Sequence, residues 1–335
     1  MTLPASQLES LELPPIGEVE PEVVKGKSPG RLAMDRFRRD KASMVALTIV
    51  TIYIIGSVLA PLLVHFHVIK PYDLHQNLLN VDLGGIPNGF MGGMSWHHIL
   101  GVEPRTGTDL FGRLWYGLTF SLSIALSASI LTMIIGTVMG IVSGASGGWV
   151  DAIIGRLVDI TLSFPQTLML LALSAPGVAL VAKLIHSSSG AAFPNATYEV
   201  VVLAAFGWPS VARLIRGQVL SLRERDFVDA SLLLGASRWR LYFKEILPNL
   251  WAPVLVQFTL IMPAYVSAEA ALGFLGVGIP KPTPTLGNIM LDAFGFASSD
   301  FGFFFFPAVL LAVIVISFNL LGDGLRDALD PKADR

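Results

Sequence analysis

The feature that most constrains this chain is a set of long stretches without a charged residue. Ala42–Val64 and Leu114–Val150 contain none, and each exceeds the length needed to cross roughly 30 Å of bilayer hydrocarbon at about 1.5 Å of helical rise per residue. Over all 335 residues, 53% are hydrophobic and 14% are charged, whereas soluble domains carry about 25% charged residues. The chain is therefore predicted to be a membrane protein.

The hydropathy pattern predicts an all-α membrane protein with six transmembrane helices. The fourth helix has the shortest apolar run and spans the bilayer only if Arg213 and Arg216 extend to the headgroups. The fifth is expected to bend at Pro253 or Pro263. The predicted spans are Ala42–Val64, Thr119–Ser143, Phe164–Val181 after a polar turn at Asp151–Asp159, Glu199–Leu222, Asn249–Ala268 and Phe301–Leu321.

The distribution of Lys and Arg sets the expected orientation. An even number of spans puts both termini on one side, and the side with more basic residues is the cytoplasmic one. The segments before the first helix and between the fourth and fifth contain Lys25, Lys27, Arg31, Arg36, Arg38, Arg39, Lys41, Arg213, Arg216, Arg223, Arg225, Arg238, Arg240 and Lys244. The opposite loops contain Lys70, Arg105, Arg113, Lys183 and Lys281. Both termini and the fourth connection are therefore expected to be cytoplasmic.

The segments that flank the spans differ in composition. Residues 1–30 contain five prolines and five glutamates and are predicted to be a disordered tail. Residues 31–41 are basic and fit a helix on the cytoplasmic membrane surface. The transmembrane domain is assigned to residues 42–321, with a cytoplasmic loop at 225–248, and residues 322–335 are assigned to a polar C-terminal tail.

The loop Arg225–Pro248 is a charged island between apolar runs. Phe227, Ala230 and Leu234 fall on one side of a short helix, and Gly235 is placed to end it. A second apolar stripe, with helical spacing, is formed by Trp239, Tyr242, Phe243 and Ile246. Two short amphipathic helices joined at a glycine favour a docking surface over a catalytic site.

The spacing in this loop resembles the EAA motif of ABC importer permeases, in the form found in the dipeptide/oligopeptide branch. Asp229 stands where that family usually has Glu, and Ser231 stands where it usually has Ala. In the family this loop is a coupling helix that sits in a cleft of a cytoplasmic ATP-binding subunit. The resemblance implies that the ATPase-coupling residues are Phe227, Asp229, Ala230, Ser231, Leu234 and Gly235.

Gly101–Gly117 resembles the segment that precedes the second helix of peptide-type permeases and is expected on the extracytoplasmic side. Asp109 and Arg113 are four residues apart and can pair. Anchoring of the loop is favoured over contact with substrate. The matching residues are Gly107, Thr108, Asp109, Gly112 and Arg113.

Glu269 stands among apolar residues in AEAALGFLGVGIP, a segment that also resembles this family. A carboxylate inside a membrane normally faces the interior of a helix bundle and marks a function or a paired contact. A role at the interface between two permeases and a purely structural role are given equal weight for Glu269.

The resemblance implies a type I ABC importer permease in the inner membrane of a bacterial or archaeal cell. Its expected partners are a homologous permease in a heterodimer, two cytoplasmic ATP-binding subunits and an extracytoplasmic solute-binding protein. The chain has no phosphate-binding G-x-x-x-x-G-K-[ST] loop and no cysteine, so it is expected to be a non-enzymatic subunit. No cofactor or metal is assigned to it, and the partner subunits would bind ATP and Mg²⁺.

The expected cargo is a dipeptide or oligopeptide. Nickel chelates, glutathione or another small solute remain alternatives, because a single sequence does not reveal the lining of a pathway. A secondary transporter would need paired discontinuous helices or an intramembrane charge relay. Glu269 is the one deep candidate for such a relay, so this alternative ranks lower.

Overall fold

The computed structural model describes residues 29–185 and 192–330. The predicted N-terminal tail lies outside these residues except for Pro29 and Gly30, and residues 331–335 of the predicted C-terminal tail lie outside them as well. A short hairpin, β1 (Leu79–Asn80) and β2 (Ile86–Pro87), lies in the long loop after the first span. The α-helices are α1 Pro29–Arg39, α2 Lys41–His65, α3 Leu110–Ser146, α4 Gly148–Ser163, α5 Gln166–Ala172, α6 Ser174–Ile185, α7 Ala192–Arg223, α8 Asp226–Leu233, α9 Arg238–Arg240, α10 Trp251–Phe274, α11 Leu286–Gly295 and α12 Phe301–Leu329.

The predicted all-α membrane fold is confirmed. In the described ranges five helical runs are long and apolar enough to cross a bilayer: α2, α3, α7, α12 and the run Arg238–Phe274 that ends in α10. A sixth crossing exists if α4 and α5, bent by 74° at their junction, count as one span. The cytoplasmic placement of the termini stays a prediction.

The third predicted span differs most from the structure. Asp151–Asp159 belongs to α4 rather than to a polar turn, and the helix breaks at Phe164-Pro165. Proline lacks an N–H donor and disfavours helical geometry in the residue before it, so α4 ends there and α5 begins in a new direction. The predicted span Phe164–Val181 therefore starts at this break, and the structure interrupts it again at Leu173, between α5 and α6.

Two helices extend further than hydropathy predicts. α3 begins at Leu110 rather than Thr119, because Asp109 Oδ2 accepts a hydrogen bond from the Gly112 N–H at 2.7 Å and caps the helix. α12 continues past Leu321 to Leu329. A helix does not have to end where the hydrocarbon ends, so hydropathy places the membrane boundary but not the helix terminus.

Close packing of α3 against α7 forms the centre of the molecule. Gly136, Gly140 and Gly144 lie one turn apart on α3, and a Cβ atom at any of them would come within 2.5 to 2.8 Å of α7 atoms. Small residues at this spacing allow two helix backbones in a membrane to approach closely. α10 then packs on α3 and α12, and α12 packs on α2.

Candidate functional site

The segment between α7 and α10, residues 224–250, is named the coupling segment below. Its first helix, α8, ends in a Schellman motif: the Gly235 N–H donates to Leu232 O and the Ala236 N–H donates to Ser231 O, both at 3.0 Å. Gly235 has φ +77°, a conformation that glycine adopts without steric cost. The predicted helix end at Gly235 is where the structure places it.

α8 presents two different faces. Val228 is fully buried and Ser231 is 9% exposed, so these residues hold the helix against the chain. Leu233 and Leu234 are 89% and 88% exposed. Contiguous exposed apolar side chains are typical of surfaces that contact another protein or a membrane. Of the predicted coupling residues, Ser231 lies on the inner face, whereas the outward-facing ones are Phe227, Asp229, Ala230 and Leu234.

The second short helix predicted in this segment is not a separate element. Ser237 Oγ accepts a hydrogen bond from the Arg240 N–H at 3.3 Å, and α9 continues through a π-helical turn and a 3-10 turn into α10. Pro248 stands at the start of the 3-10 turn, where a missing N–H costs little. A continuous helical run therefore connects the coupling segment to a membrane-spanning helix.

The apolar stripe on this run divides between two surroundings. Tyr242 and Ile246 are buried, and the Tyr242 hydroxyl lies 2.7 Å from Ser146 Oγ at the end of α3. Trp239 is 71% exposed and packs on Phe243 with ring centroids 4.2 Å apart. Tyr242 thus anchors the base of the coupling segment to α3, whereas Trp239 leaves an aromatic surface exposed.

The loop before α3 forms a buried ion pair with a carboxylate other than the one that helical spacing allows for. Arg113 Nε lies 2.8 Å from Glu103 Oε1, and both side chains are buried. Asp109 instead caps α3 and contacts His98 Nδ1 at 2.9 Å. Asp109 immediately precedes α3, so its carboxylate turns to the free N–H groups of the first turn and is not available to Arg113.

Glu103 is a residue that sequence reasoning missed. Thr108 Oγ1 donates to Glu103 Oε2 at 2.5 Å. Burial raises the pKa of the Glu103 carboxyl, while Arg113 and the hydrogen bond from Thr108 oppose that rise. Gly107, with φ +70°, brings the same loop so close to His75 that a Cβ atom would lie 2.6 Å from His75 O. These contacts support loop anchoring as the role of this motif.

Glu269 lies on α10 and is 0% exposed within this single chain. Its side chain is therefore covered by its own chain, and whether Glu269 has a role at the interface between two permeases or a structural role stays a prediction. Its neighbours include the side chains of Ser121 on α3 and Thr285 before α11. Glu199 on α7, which hydropathy placed at the start of a span, is a second fully buried carboxyl close to it.

Two family models match the chain. The inner membrane component of binding-protein-dependent transport systems matches residues 136–335, and the N-terminal transmembrane domain of oligopeptide transport permease C matches residues 28–83. The chain is 35% identical over 305 residues to the dipeptide transport system permease DppC of Alkalihalophilus pseudofirmus, covering 91% of this chain and 90% of that one. It is 34% identical over 318 residues to the oligopeptide transport system permease OppC of Bacillus subtilis, covering 94% of both chains.

A third relative, the dipeptide transport system permease DppC of Escherichia coli, is 38% identical over 296 residues, covering 88% of this chain and 91% of that one. Among solved structures, a chain of the inward-facing MetNI methionine ABC transporter matches with a TM-score of 0.53 and 19% identity, covering 66% of this chain and 98% of that one. This likeness supports the fold alone. The chain belongs to the family of inner membrane components of binding-protein-dependent transport systems, and it is a multi-pass cell membrane permease of the ABC importer type.

Proposed function

We propose that this chain forms half of the pathway through which an ABC importer takes up dipeptides or oligopeptides. The peptide cargo is inferred from relatives that are named as dipeptide and oligopeptide permeases and that align over most of the chain. The other half of the pathway would be a second, homologous permease, and an extracytoplasmic solute-binding protein would deliver the cargo. None of these relatives is named for nickel chelates or glutathione, so those alternatives are not favoured.

The two exposed leucines at the C-terminal end of α8 are the observation that carries the mechanical part of the proposal. Leu233 and Leu234 project from a short helix that is held to the rest of the chain by Val228 and Ser231. We infer that an ATP-binding subunit covers these leucines, one such subunit lying below each permease. ATP and Mg²⁺ would be bound by those subunits, since this chain has no phosphate-binding loop.

The helical connections of the coupling segment suit the transmission of rigid-body motion. α7 ends at Arg223, only a short turn before α8 begins at Asp226. On the other side, the run Arg238–Phe274 is helical throughout. A displacement of α8 by a moving ATPase would therefore act directly on α7 and α10. Rigid-body movements of this kind are a common way to link two access states.

Uptake by reconstituted importer tests the peptide assignment. Proteoliposomes that contain this chain with its partner subunits would be given a labelled tripeptide and a panel of unlabelled competitors: dipeptides, longer peptides, glutathione and a nickel chelate. Peptides are expected to compete and to stimulate ATP hydrolysis. Competition by glutathione or by the nickel chelate alone would contradict the peptide assignment while leaving the permease role intact.

A further inference from the structure

An apolar groove runs along the helix bundle at the end where the coupling segment lies. It has a volume of about 590 Å³ and is lined by residues of four helices, α1, α2, α10 and α12. On α10 the lining runs from Trp251 to Thr259, a length of about 12 Å at 1.5 Å of rise per residue. Because α2, α10 and α12 belong to runs that are long and apolar enough to cross a bilayer, the deep part of the groove lies within the membrane.

The interior of the groove fits a hydrocarbon chain. Its walls consist mainly of apolar side chains, among them Met34, Leu47 and Leu255. Thr259 is the lining residue furthest along α10, and its hydroxyl donates to Val256 O at 2.8 Å within the same helix. A polar solute would exchange hydrogen bonds with water for apolar contacts at this depth, which is unfavourable. An acyl chain makes no such exchange, so the groove suits a lipid.

Helix α1 forms a fixed wall of the groove. Phe37 is buried, and Arg36 Nη1 donates to Asp330 O at 3.0 Å, just beyond the end of α12. Asp40 follows α1 and caps α2, accepting a hydrogen bond from the Ala42 N–H at 3.1 Å. These contacts hold α1 across the ends of α2 and α12. The groove is therefore formed before a ligand enters, as is usual for binding pockets.

Two arginines of α1 supply positive charge at the edge of the groove. Arg38 lines it, and Arg31 lies two helical turns earlier on the same edge of α1. Both are exposed, and neither forms an ion pair with another residue in the ranges 29–185 and 192–330. A guanidinium group binds phosphate oxygens through two parallel N–H donors. Basic pockets beside membrane-spanning helices bind the headgroups of anionic lipids.

We propose that the groove holds one anionic phospholipid, with an acyl chain between α1 and α10 and the phosphate on Arg31 and Arg38. Trp251, half exposed at the start of α10, lies where tryptophan side chains typically meet the headgroup region. The bound lipid would pack against the first turns of the helix that follows the coupling segment. The membrane would thereby supply part of the surface on which α10 rests. This inference does not depend on the identity of the cargo.

Quenching of Trp251 by lipids with brominated acyl chains tests the proposal. The assembled importer, with the full chain and its partner subunits, would be placed in phosphatidylcholine nanodiscs that contain a small fraction of brominated phosphatidylglycerol or brominated phosphatidylcholine. The difference between wild type and W251F isolates the fluorescence of Trp251. Phosphatidylglycerol is expected to quench it at a much lower mole fraction than phosphatidylcholine does. Equal quenching by the two lipids, or none because residues 1–28 or a partner subunit fill the groove, would overturn the proposal.

Two double variants with the same loss of charge separate a binding site from general attraction to the membrane. R31Q/R38Q removes the arginines at the groove, whereas R39Q/K41Q removes two exposed basic residues that do not line it. Each basic residue near an anionic surface contributes a factor of about 5 in affinity, so R31Q/R38Q should need about 25-fold more phosphatidylglycerol for half-quenching. R39Q/K41Q should keep most of the wild-type preference. Equal losses in the two variants would indicate a diffuse charge effect and overturn the site.

Native mass spectrometry of the wild-type importer gives a readout that needs no variant. Complexes released into mild detergent from vesicles of equal phosphatidylglycerol and phosphatidylcholine are expected to retain phosphatidylglycerol. A33F fills the groove and should retain one such lipid fewer per chain, whereas V58F, at an exposed position further along α2, should match wild type. A wild-type complex that retains no phosphatidylglycerol, or equal retention in wild type and A33F, would contradict the proposal.

Discussion

Replacement of Gly235 by alanine tests whether transport depends on the conformation of the coupling segment rather than on the stability of the whole chain. Gly235 has φ +77°, and no atom lies within 4 Å of the position that a Cβ would occupy. The substitution therefore creates backbone strain without a steric clash, and left-handed geometry costs an L-residue about 1–2 kcal/mol. α8 is short and is held by few buried residues, so we expect the strain to be relieved by unwinding of its last turn.

Strain of that size lowers the population of the intact helix end by a factor of about 5–30. If docking of the ATPase requires this helix end, then peptide uptake and peptide-stimulated ATP hydrolysis should fall by up to the same factor in Gly235→Ala. Gly235→Asn should retain more activity, because asparagine tolerates the left-handed conformation better than alanine does. Uptake and ATP hydrolysis would be measured together in proteoliposomes that contain the partner subunits.

Gly148 provides a matched control at the turn between α3 and α4. It has φ +57°, and it too has no atom within 4 Å of its Cβ position. Gly148→Ala should therefore carry a similar backbone strain and a similar decrease in unfolding temperature, but it should leave coupling intact. Equal loss of uptake in the two variants, or normal uptake in Gly235→Ala, would refute the reasoning about the coupling segment.

Two further predictions concern charged groups outside the membrane-spanning core. Arg113→Gln would leave Glu103 buried without its counter-charge and should lower the free energy of unfolding by about 3–5 kcal/mol. The double variant with Glu103→Gln should recover much of the unfolding temperature. Equal losses of stability in the single and the double variant would contradict the ion pair. The Ser43 hydroxyl and two N–H groups lower the pKa of the Asp40 carboxyl. The stabilisation by the Asp40 carboxylate should be present at pH values above its ordinary pKa and should be lost as the pH falls through the lowered pKa. Asp40→Asn should therefore flatten the dependence of the unfolding temperature on pH over that acidic range. An unchanged pH profile would contradict the cap.

Much of the fold could be predicted from the sequence because a bilayer imposes a length and a polarity on each crossing segment. The first, second and sixth spans are unambiguous for this reason. Gly235 also marked the end of α8 correctly, since the left-handed end of a helix is a local property of a few residues. The predicted third span did begin at the break marked by Phe164-Pro165, but the charged residues of Asp151–Asp159 suggested a polar turn where the structure has α4.

Partners that meet only in three dimensions could not be predicted in this way. Arg113 was matched to Asp109 by helical spacing, whereas its partner Glu103 belongs to the loop before the helix. Glu199 was taken as a boundary residue, and its closeness to Glu269 depends on the packing of α7 against α10. The direction in which α8 faces also depends on tertiary contacts, so Leu233 was not identified as an exposed position.

Cross-linking from α8 tests the central claim most directly. The natural chain has no cysteine, so Leu234→Cys introduces a single thiol at an 88% exposed position. Leu83→Cys, at a 64% exposed position in the loop after α2, is the control on the side that is predicted to be extracytoplasmic. In the assembled importer, a thiol-specific cross-linker at position 234 should join this chain to the ATP-binding subunit, and the same reagent at position 83 should not. Cross-links from position 234 only to lipid, or none at all in an assembly that hydrolyses ATP, would contradict the account.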